Sequence, residues 1–295
     1  MKFIGYIFSI AFLRVLSILP MFIIYFFSDL LYLILYYLVG YRRKVVIKNL
    51  ALSFPEYSKK EVMHTTRKFY RHLADIILES AVSLYFSRRR LEKMIQYTNP
   101  EMIDKYVAQG RSIIINTSHY NNWELSVTLS YTVQHQLIAL YKPLKNKYFD
   151  KAIQKARRRF GARTVPMKQI SKELINCKNK GELTVTGIAC DQRPIKQRVQ
   201  HWTKLLGQNT PVFLGTEKLA KKFDIVVMYM KMRKVKRGLY LAEFELITDQ
   251  PKETQQYEIT EKQISILEQL IREEPAHWLW SHDLWKYPSA PLRDR

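Results

Sequence analysis

In the stretch "INTSHYNNWEL", Ile115 to Leu125, His119 stands five residues ahead of Glu124, directly after an apolar run. An imidazole near its ordinary pKa can take a proton from a hydroxyl, and a carboxylate can fix its tautomer and stabilise the cation that forms. Spacing alone does not make the pair functional, because 7 histidines and 26 acidic residues in one chain generate such pairs by chance. Geometry adds a condition. Residues five apart in one ideal helix point about 140° apart, so His119 must precede a helix and Glu124 must lie in its first turns. No serine stands in a nucleophile-elbow pattern. Direct transfer to a substrate hydroxyl is therefore favoured over a covalent intermediate.

The surrounding pattern supplies that arrangement. "SIIIN" reads as a buried strand and "NWELSVTLSYTV" as the start of a helix, with Asn121 and Asn122 suited to the loop or cap between them. His119 then sits at the carboxyl end of a strand, where open α/β sheets place their ligands. From Ser112 onward, "SIIINT", "QLIALY", "ELTVTGIAC", "DIVVMYM" and "LYLAEFELI" read as strands. Between them, "YFDKAIQKARRRF", "ISKELINCK" and "TPVFLGTEKLAKKF" read as helices or loops. The alternation predicts an α/β fold with a mixed, largely parallel sheet flanked by helices. Ahead of it, Ser58-Lys59-Lys60-Glu61 opens a long amphipathic helix with a capping box and a basic face. That helix packs on the core or lies against an anionic membrane surface. "EITEKQISILEQLIREEP" forms a final helix stopped by Pro275, followed by the aromatic tail "AHWLWSHDLWKY".

From Ile4 to Gly40 only Arg14 and Asp29 carry charge. The stretch is long enough for the about 20 apolar residues that a membrane span needs, but Pro20 and Asp29 interrupt it. It reads as one kinked spanning helix or as a hairpin-like pair lying partly in the membrane. A buried core pair is the bland alternative. A cleaved signal peptide fits less well, since the apolar run continues where small residues would be needed. Residues 1–41 are thus expected to be a membrane anchor and residues 42–295 the main domain. The cations of "YRRKVVIK" place that domain on the cytoplasmic face by the positive-inside rule.

The 48 basic and 26 acidic residues give a net charge of +22. Such a charge seeks polyanions: nucleic acid, anionic membrane, phosphorylated substrate or an acidic carrier. Its clusters recur along the chain, among them Arg157-Arg158-Arg159 and Lys231 to Arg237. No helix-turn-helix, RNA-reading sheet or zinc finger supports nucleic acid. Cys177 and Cys190 and the seven histidines show no metal spacing, so neither a metal nor a cofactor is expected.

The words "SHYNNWEL", "YKPLKNKYFD", "ACDQRP", "LLGQNTPVFLGTEKLA" and "HWLWSHDLWK" occur in this order behind an apolar N-terminus and a "KNLALSFPE" junction. Together they resemble the late acyltransferases of lipid A biosynthesis, the lauroyl/myristoyl type, over nearly the whole chain. These belong to the wider glycerolipid-like acyltransferases with a His-x-x-x-x-Asp/Glu motif. The resemblance implies an inner-membrane enzyme that moves a fatty acyl chain from acyl carrier protein (or acyl-CoA) to a hydroxyl of a hydroxyacyl chain on a lipid A precursor. It makes His119 the catalytic base and Glu124 its orienting acid. Asn122, Lys142, Lys145, Asn146, Arg159, Lys168, Asp191, Gln192 and Arg193 are implied at the substrate site. Lys142 replaces an arginine usual in that family, which loses bidentate phosphate gripping. Lys168 is the cation nearest a position where relatives carry arginine, and His277 stands where they show glutamine. The acceptor could instead be another glycolipid or an aminolipid. A non-catalytic, membrane-tethered basic binding protein is the alternative from a different class.

Overall fold

The computed structural model describes residues 2–143 and 146–287. Two apolar helices come first, α1 (Lys2–Ile18) and α2 (Met21–Leu33), and α2 runs on into a π-helical turn, Ile34–Leu38. They are separated at Leu19-Pro20, where proline lacks the N–H that would continue the ladder. Next come α3 (Arg43–Ser53), α4 (Lys59–Ser83), α5 (Arg88–Glu92), β1 (Ile95–Tyr97) and α6 (Glu101–Ala108). The capping box is present at the start of α4: Ser58 Oγ accepts from Glu61 N–H, and Glu61 Oε2 accepts from Ser58 N–H at 2.7 Å. The remainder alternates as β2 (Ile113–Thr117), β3 (Gln136–Tyr141), α7 (Lys147–Arg159), β4 (Arg163–Pro166), α8 (Ile170–Asn179) and β5 (Thr184–Ala189). It ends with β6 (His201–Leu205), β7 (Gln208–Val212), α9 (Gly215–Phe223), β8 (Val226–Lys236), β9 (Leu239–Thr248) and α10 (Glu258–Glu273).

Seven strands form one sheet in the order β1-β9-β8-β2-β5-β3-β4. Every neighbouring pair is parallel except the β8–β9 hairpin. The expected mixed, largely parallel sheet is therefore present. Its middle strand shows why "SIIIN" reads as a continuous apolar run. Ile113 and Ile115 enter one core and Ile114 the other, so β2 is buried on both faces. The polar Asn116 is tolerated there because both ends of its amide are used, donating to Gln263 Oε1 at 2.6 Å and accepting from Thr216 Oγ1 at 2.7 Å.

Two stretches depart from the sequence reading. "TPVFLGTEKLAKKF" is not one helix or loop, since its first residues complete β7, which pairs with β6. The turn that closes this hairpin puts both Leu206 (φ 52°) and Gly207 (φ 75°) at positive φ. A leucine there gives no sequence signal for a tight turn. "NWELSVTLSYTV" forms no α-helix either, but a nine-residue 3₁₀ segment, Trp123–Tyr131. Thr128 Oγ1 donates to Leu125 O at 2.8 Å and Ser130 Oγ to Val127 O at 2.9 Å. Such hydroxyls compete with the α-helical ladder.

The N-terminal helices are docked rather than trailing. Ile24, Ser28 and Tyr32, four residues apart, form the buried face of α2. Ser28 Oγ donates to Asp75 of α4 at 2.7 Å, and Tyr25 OH donates to Glu79 at 2.9 Å. Arg237, at the β8–β9 turn, bonds both Asp29 and Asp75 at 2.7 Å. The other face of α2 leaves Phe22 73% and Phe26 67% exposed. Among the described residues, Met21–Leu38 is the one helix long and apolar enough to cross a membrane.

Candidate functional site

Parallel register brings the site together. Thr117 at the end of β2 pairs with Ala189 at the end of β5. Two residues further along each chain stand His119 and Asp191. The ladder is extended by one bond, Cys190 N–H to Thr117 O at 3.1 Å. From here the chain leaves β2 toward β3 and leaves β5 toward β8, in opposite directions along the sheet. That reversal leaves a crevice at the carboxyl ends of the strands.

In that crevice His119 Nδ1 lies 2.7 Å from Asp191 Oδ1, and His119 backbone N–H donates to Asp191 Oδ2 at 2.9 Å. Trp278 Nε1–H donates to the same Oδ2 at 2.8 Å. Burial pushes the Asp191 carboxyl up, but the charge and hydrogen bonds of His119 and the indole of Trp278 outweigh it, and the group stays below the usual carboxylate range. Burial likewise lowers the His119 imidazole, and Asp191 first and Glu124 second reverse this, so its pKa is raised above the ordinary 6.5. With Nδ1–H donated to Asp191, Nε2 carries the lone pair. Gln192 Nε2 sits 3.1 Å from it, and the imidazole keeps 17% of its surface exposed. The ring can therefore accept a proton from outside.

Asp191, not Glu124, thus holds the imidazole in this structure. Glu124, second residue of the 3₁₀ segment, accepts from Arg157 of α7 at 2.8 Å. The pair lines a narrow cleft of about 100 Å³. Ile115 and Thr117 of β2, Gly187 and Ala189 of β5, Leu137 and Ala139 of β3 and Met230 of β8 form its floor, and Trp123, Val127 and Leu129 cover it. Strand alternation and parallel register put these floor residues on one face of the sheet, and the neighbouring Ile138 and Leu140 of β3 also line the cleft. Cys190, next to Asp191, is not a nucleophile, because burial pushes its thiol far up and keeps it protonated.

The loop bearing His119 is fixed from two sides. Tyr120 pairs with Trp278 in an isolated antiparallel bridge, Leu279 N–H donates to His119 O at 3.1 Å, and Asn121 N–H donates to His277 O at 3.0 Å. Asn121 takes a left-handed conformation (φ 56°), which asparagine tolerates, and its amide donates to Met232 O at 2.7 Å. Ser118 accepts from Tyr229 OH at 3.0 Å. The aromatic tail therefore braces the site. Trp278 carries a signal that sequence reasoning underused, since a buried indole N–H needs an acceptor.

Asn122, expected to bind substrate, is 0% exposed. Its amide donates to Glu79 at 2.8 Å and accepts from Ser80 at 3.1 Å, so it ties the loop to α4 instead. Asn146 caps α7, its Oδ1 accepting from Tyr148 N–H at 3.0 Å. Arg159 donates to Phe86 O at 2.8 Å and is not in the lining of the cleft. Lys142 is exposed just past β3, and Lys168 is exposed in the turn after β4. Lys145 lies outside the described residues. Arg193 stacks over Tyr287 at 4.5 Å, and its backbone N–H donates to His282 Nε2 at 3.2 Å. Of the expected set, the structure brings His119, Asp191 and Gln192 into contact and sets Glu124 at the adjoining cleft.

The model of the bacterial lipid A biosynthesis acyltransferase family matches residues 2–287. Over 109 residues the chain is 28% identical to the lipid A biosynthesis lauroyltransferase of Escherichia coli (strain K12), covering 37% of this chain and 35% of that relative. Over 182 residues it is 21% identical to a lipid A biosynthesis acyltransferase of Haemophilus influenzae (strain ATCC 51907 / DSM 11121 / KW20 / Rd), covering 62% of this chain and 56% of the relative. The matches thus span between about a third and somewhat over half of those curated relatives. The chain belongs to the bacterial lipid A biosynthesis acyltransferase family.

Proposed function

We propose that this member of the lipid A biosynthesis acyltransferase family transfers a fatty acyl chain from a thioester, carried by acyl carrier protein, to a hydroxyl on a lipid A precursor. The observation that carries this reading is His119, pinned at Nδ1 by Asp191 with Nε2 facing the crevice beside an apolar cleft. Gln192 holds Nε2 until the acceptor hydroxyl takes its place. Nε2 then removes the hydroxyl proton as the oxygen attacks the thioester carbonyl. The imidazolium formed is stabilised by Asp191. It returns that proton to the departing thiolate, so the ester, the free carrier thiol and neutral His119 emerge together. Arg157 is the cation available to the developing oxyanion.

The fatty chain lies in the cleft under Trp123–Tyr131. A volume of about 100 Å³ is below the roughly 300–1,000 Å³ of ordinary ligand pockets, so this cover must shift when the chain enters. The 3₁₀ segment suits that role. It runs for nine residues, whereas 3₁₀ helix rarely exceeds about 3–4 residues without strain. Residues 1–41 act as the membrane anchor and hold the site at the cytoplasmic face of the inner membrane. Support comes from the outward apolar face of α2 and from Arg42, Arg43 and Lys44 just beyond it.

The test is direct: the purified full chain is supplied with an acyl carrier protein thioester and a lipid A precursor, and products are weighed. Gain of one ester-linked chain on the precursor is expected. No gain on that acceptor, with acylation of another glycolipid or aminolipid in the same assay, would replace the acceptor. No transfer to any of them would overturn the reading.

A further inference from the structure

A second cavity, of about 690 Å³, opens between α2, α4, the β8–β9 turn and residues 274–277. Four cations line it: Lys68 and Arg71 of α4, and Lys234 and Arg237 of the hairpin. Three carboxylates face them, but two are already engaged. Arg237 bonds Asp29 and Asp75, and Lys234 Nζ lies 3.2 Å from Asp75. Lys68 and Arg71 enter no ion pair among the described residues, and only Glu274 remains to offset them. Arg71 is instead laid over the ring of Tyr32, at 5.2 Å, so it is held toward α2.

The wall also contains an unfilled polar position. His72 is 4% exposed, its Nδ1 lies 3.3 Å from Lys234 Nζ, and its Nε2 is buried without a partner. Burial, then His277 and Lys234, keep this imidazole neutral. Since Nδ1 accepts from the lysine, Nε2 carries the hydrogen and is a donor with nothing to receive it. Two cations without an ion pair therefore line a space that adjoins the apolar helix α2, with His72 in its wall and Leu33 of that helix among its lining.

We propose that this cavity seats the phosphate of a lipid headgroup, its oxygens taken by Lys68 and Arg71, with the acyl chains along the exposed apolar side of α2. The assignment goes beyond acyl transfer and does not depend on it. The phosphate could belong to a bilayer phospholipid or to a phosphorylated glycolipid. The site is not remote from the chemistry, because Ala276 and His277 form its wall, and the next residue, Trp278, holds Asp191.

Native mass spectrometry of the detergent-solubilised full chain, titrated with phosphatidylglycerol, a bisphosphorylated glycolipid or diacylglycerol, tests this without turnover. At least one phosphate-bearing lipid should be retained about tenfold more than diacylglycerol, and Lys68→Gln/Arg71→Gln should abolish that preference. Both side chains are exposed, so their loss leaves the core intact. Lys178→Gln/Lys180→Gln, which removes the same charge from the end of α8, should change nothing. Retention of phosphatidylglycerol identifies a bilayer lipid, and retention of the glycolipid alone identifies a phosphorylated glycolipid. Equal retention of diacylglycerol, unchanged binding by the Lys68/Arg71 variant, or equal loss in both variants overturns the proposal.

Discussion

His119 and Asp191, 72 residues apart in the chain, meet because each stands two residues beyond a pair of registered positions, Thr117 and Ala189, on adjacent parallel strands. The contact is therefore set by the sheet rather than by a flexible loop. It makes Asp191 the group that fixes the tautomer and raises the basicity of the imidazole.

Asp191→Asn should separate the two effects of that contact. In the wild type, activity should rise with pH as His119 loses its proton, with a midpoint above 6.5 because the pKa is raised. Without the carboxylate, burial dominates and the midpoint moves to lower pH. The rate at neutral pH should nevertheless fall by roughly 10²–10⁴, the share a positioned base contributes. A pH profile of kcat reads both changes, and an unmoved acidic limb would exclude Asp191 from this role.

Glu124 and Arg157, 2.8 Å apart, form an ion pair in the lining of the cleft. Glu124→Gln and Arg157→Gln should each lower kcat/KM, and the double variant should lose less than the product of the single losses. Coupling of about 0.5–3 kcal/mol is usual for residues in contact. A double-mutant cycle on acyl transfer measures it, and strictly multiplicative losses would mean the pair is incidental.

Gly187 lies in the cleft floor, where an added Cβ meets nothing nearer than Ile138 O at 3.9 Å. Gly187→Leu should fold and fill the cleft. Each methylene denied burial costs about 0.8 kcal/mol, so selectivity for a long over a short donor chain should drop at least about tenfold. Competition between thioesters of two lengths checks this, and an unchanged product ratio would place the chain elsewhere.

Asn122→Leu tests the internal brace. It strips partners from buried Glu79 and from Ser80, and loss of a buried hydrogen-bond partner costs about 1–3 kcal/mol. A lowered thermal midpoint of the detergent-solubilised chain is expected, and an unchanged one would mean the loop is held without α4.

The sheet was readable because its five longer strands each carry an apolar or alternating apolar stretch rich in β-branched and aromatic residues. The three-residue β1 and four-residue β4 carry too little pattern to announce themselves. His119 was readable from its neighbours and its place after a strand. The identity of its carboxylate partner was not, because only the β2–β5 register brings position 191 to it. Glu124, close in sequence, misleads through the assumption of an α-helix. The segment is 3₁₀ instead, with Thr128 and Ser130 hydroxyls bonded to carbonyls three residues back, and Arg157 pairs with the carboxylate. Asn122 is a buried tie to α4, a contact that its sequence position beside His119 does not reveal.

The turnover of His119→Gln in acyl transfer from a carrier thioester to a lipid A precursor tests the central claim most directly. Loss of about 10²–10⁴ in kcat, with the fold preserved by circular dichroism, is the predicted result. Turnover within twofold of the wild type would contradict a general base at position 119.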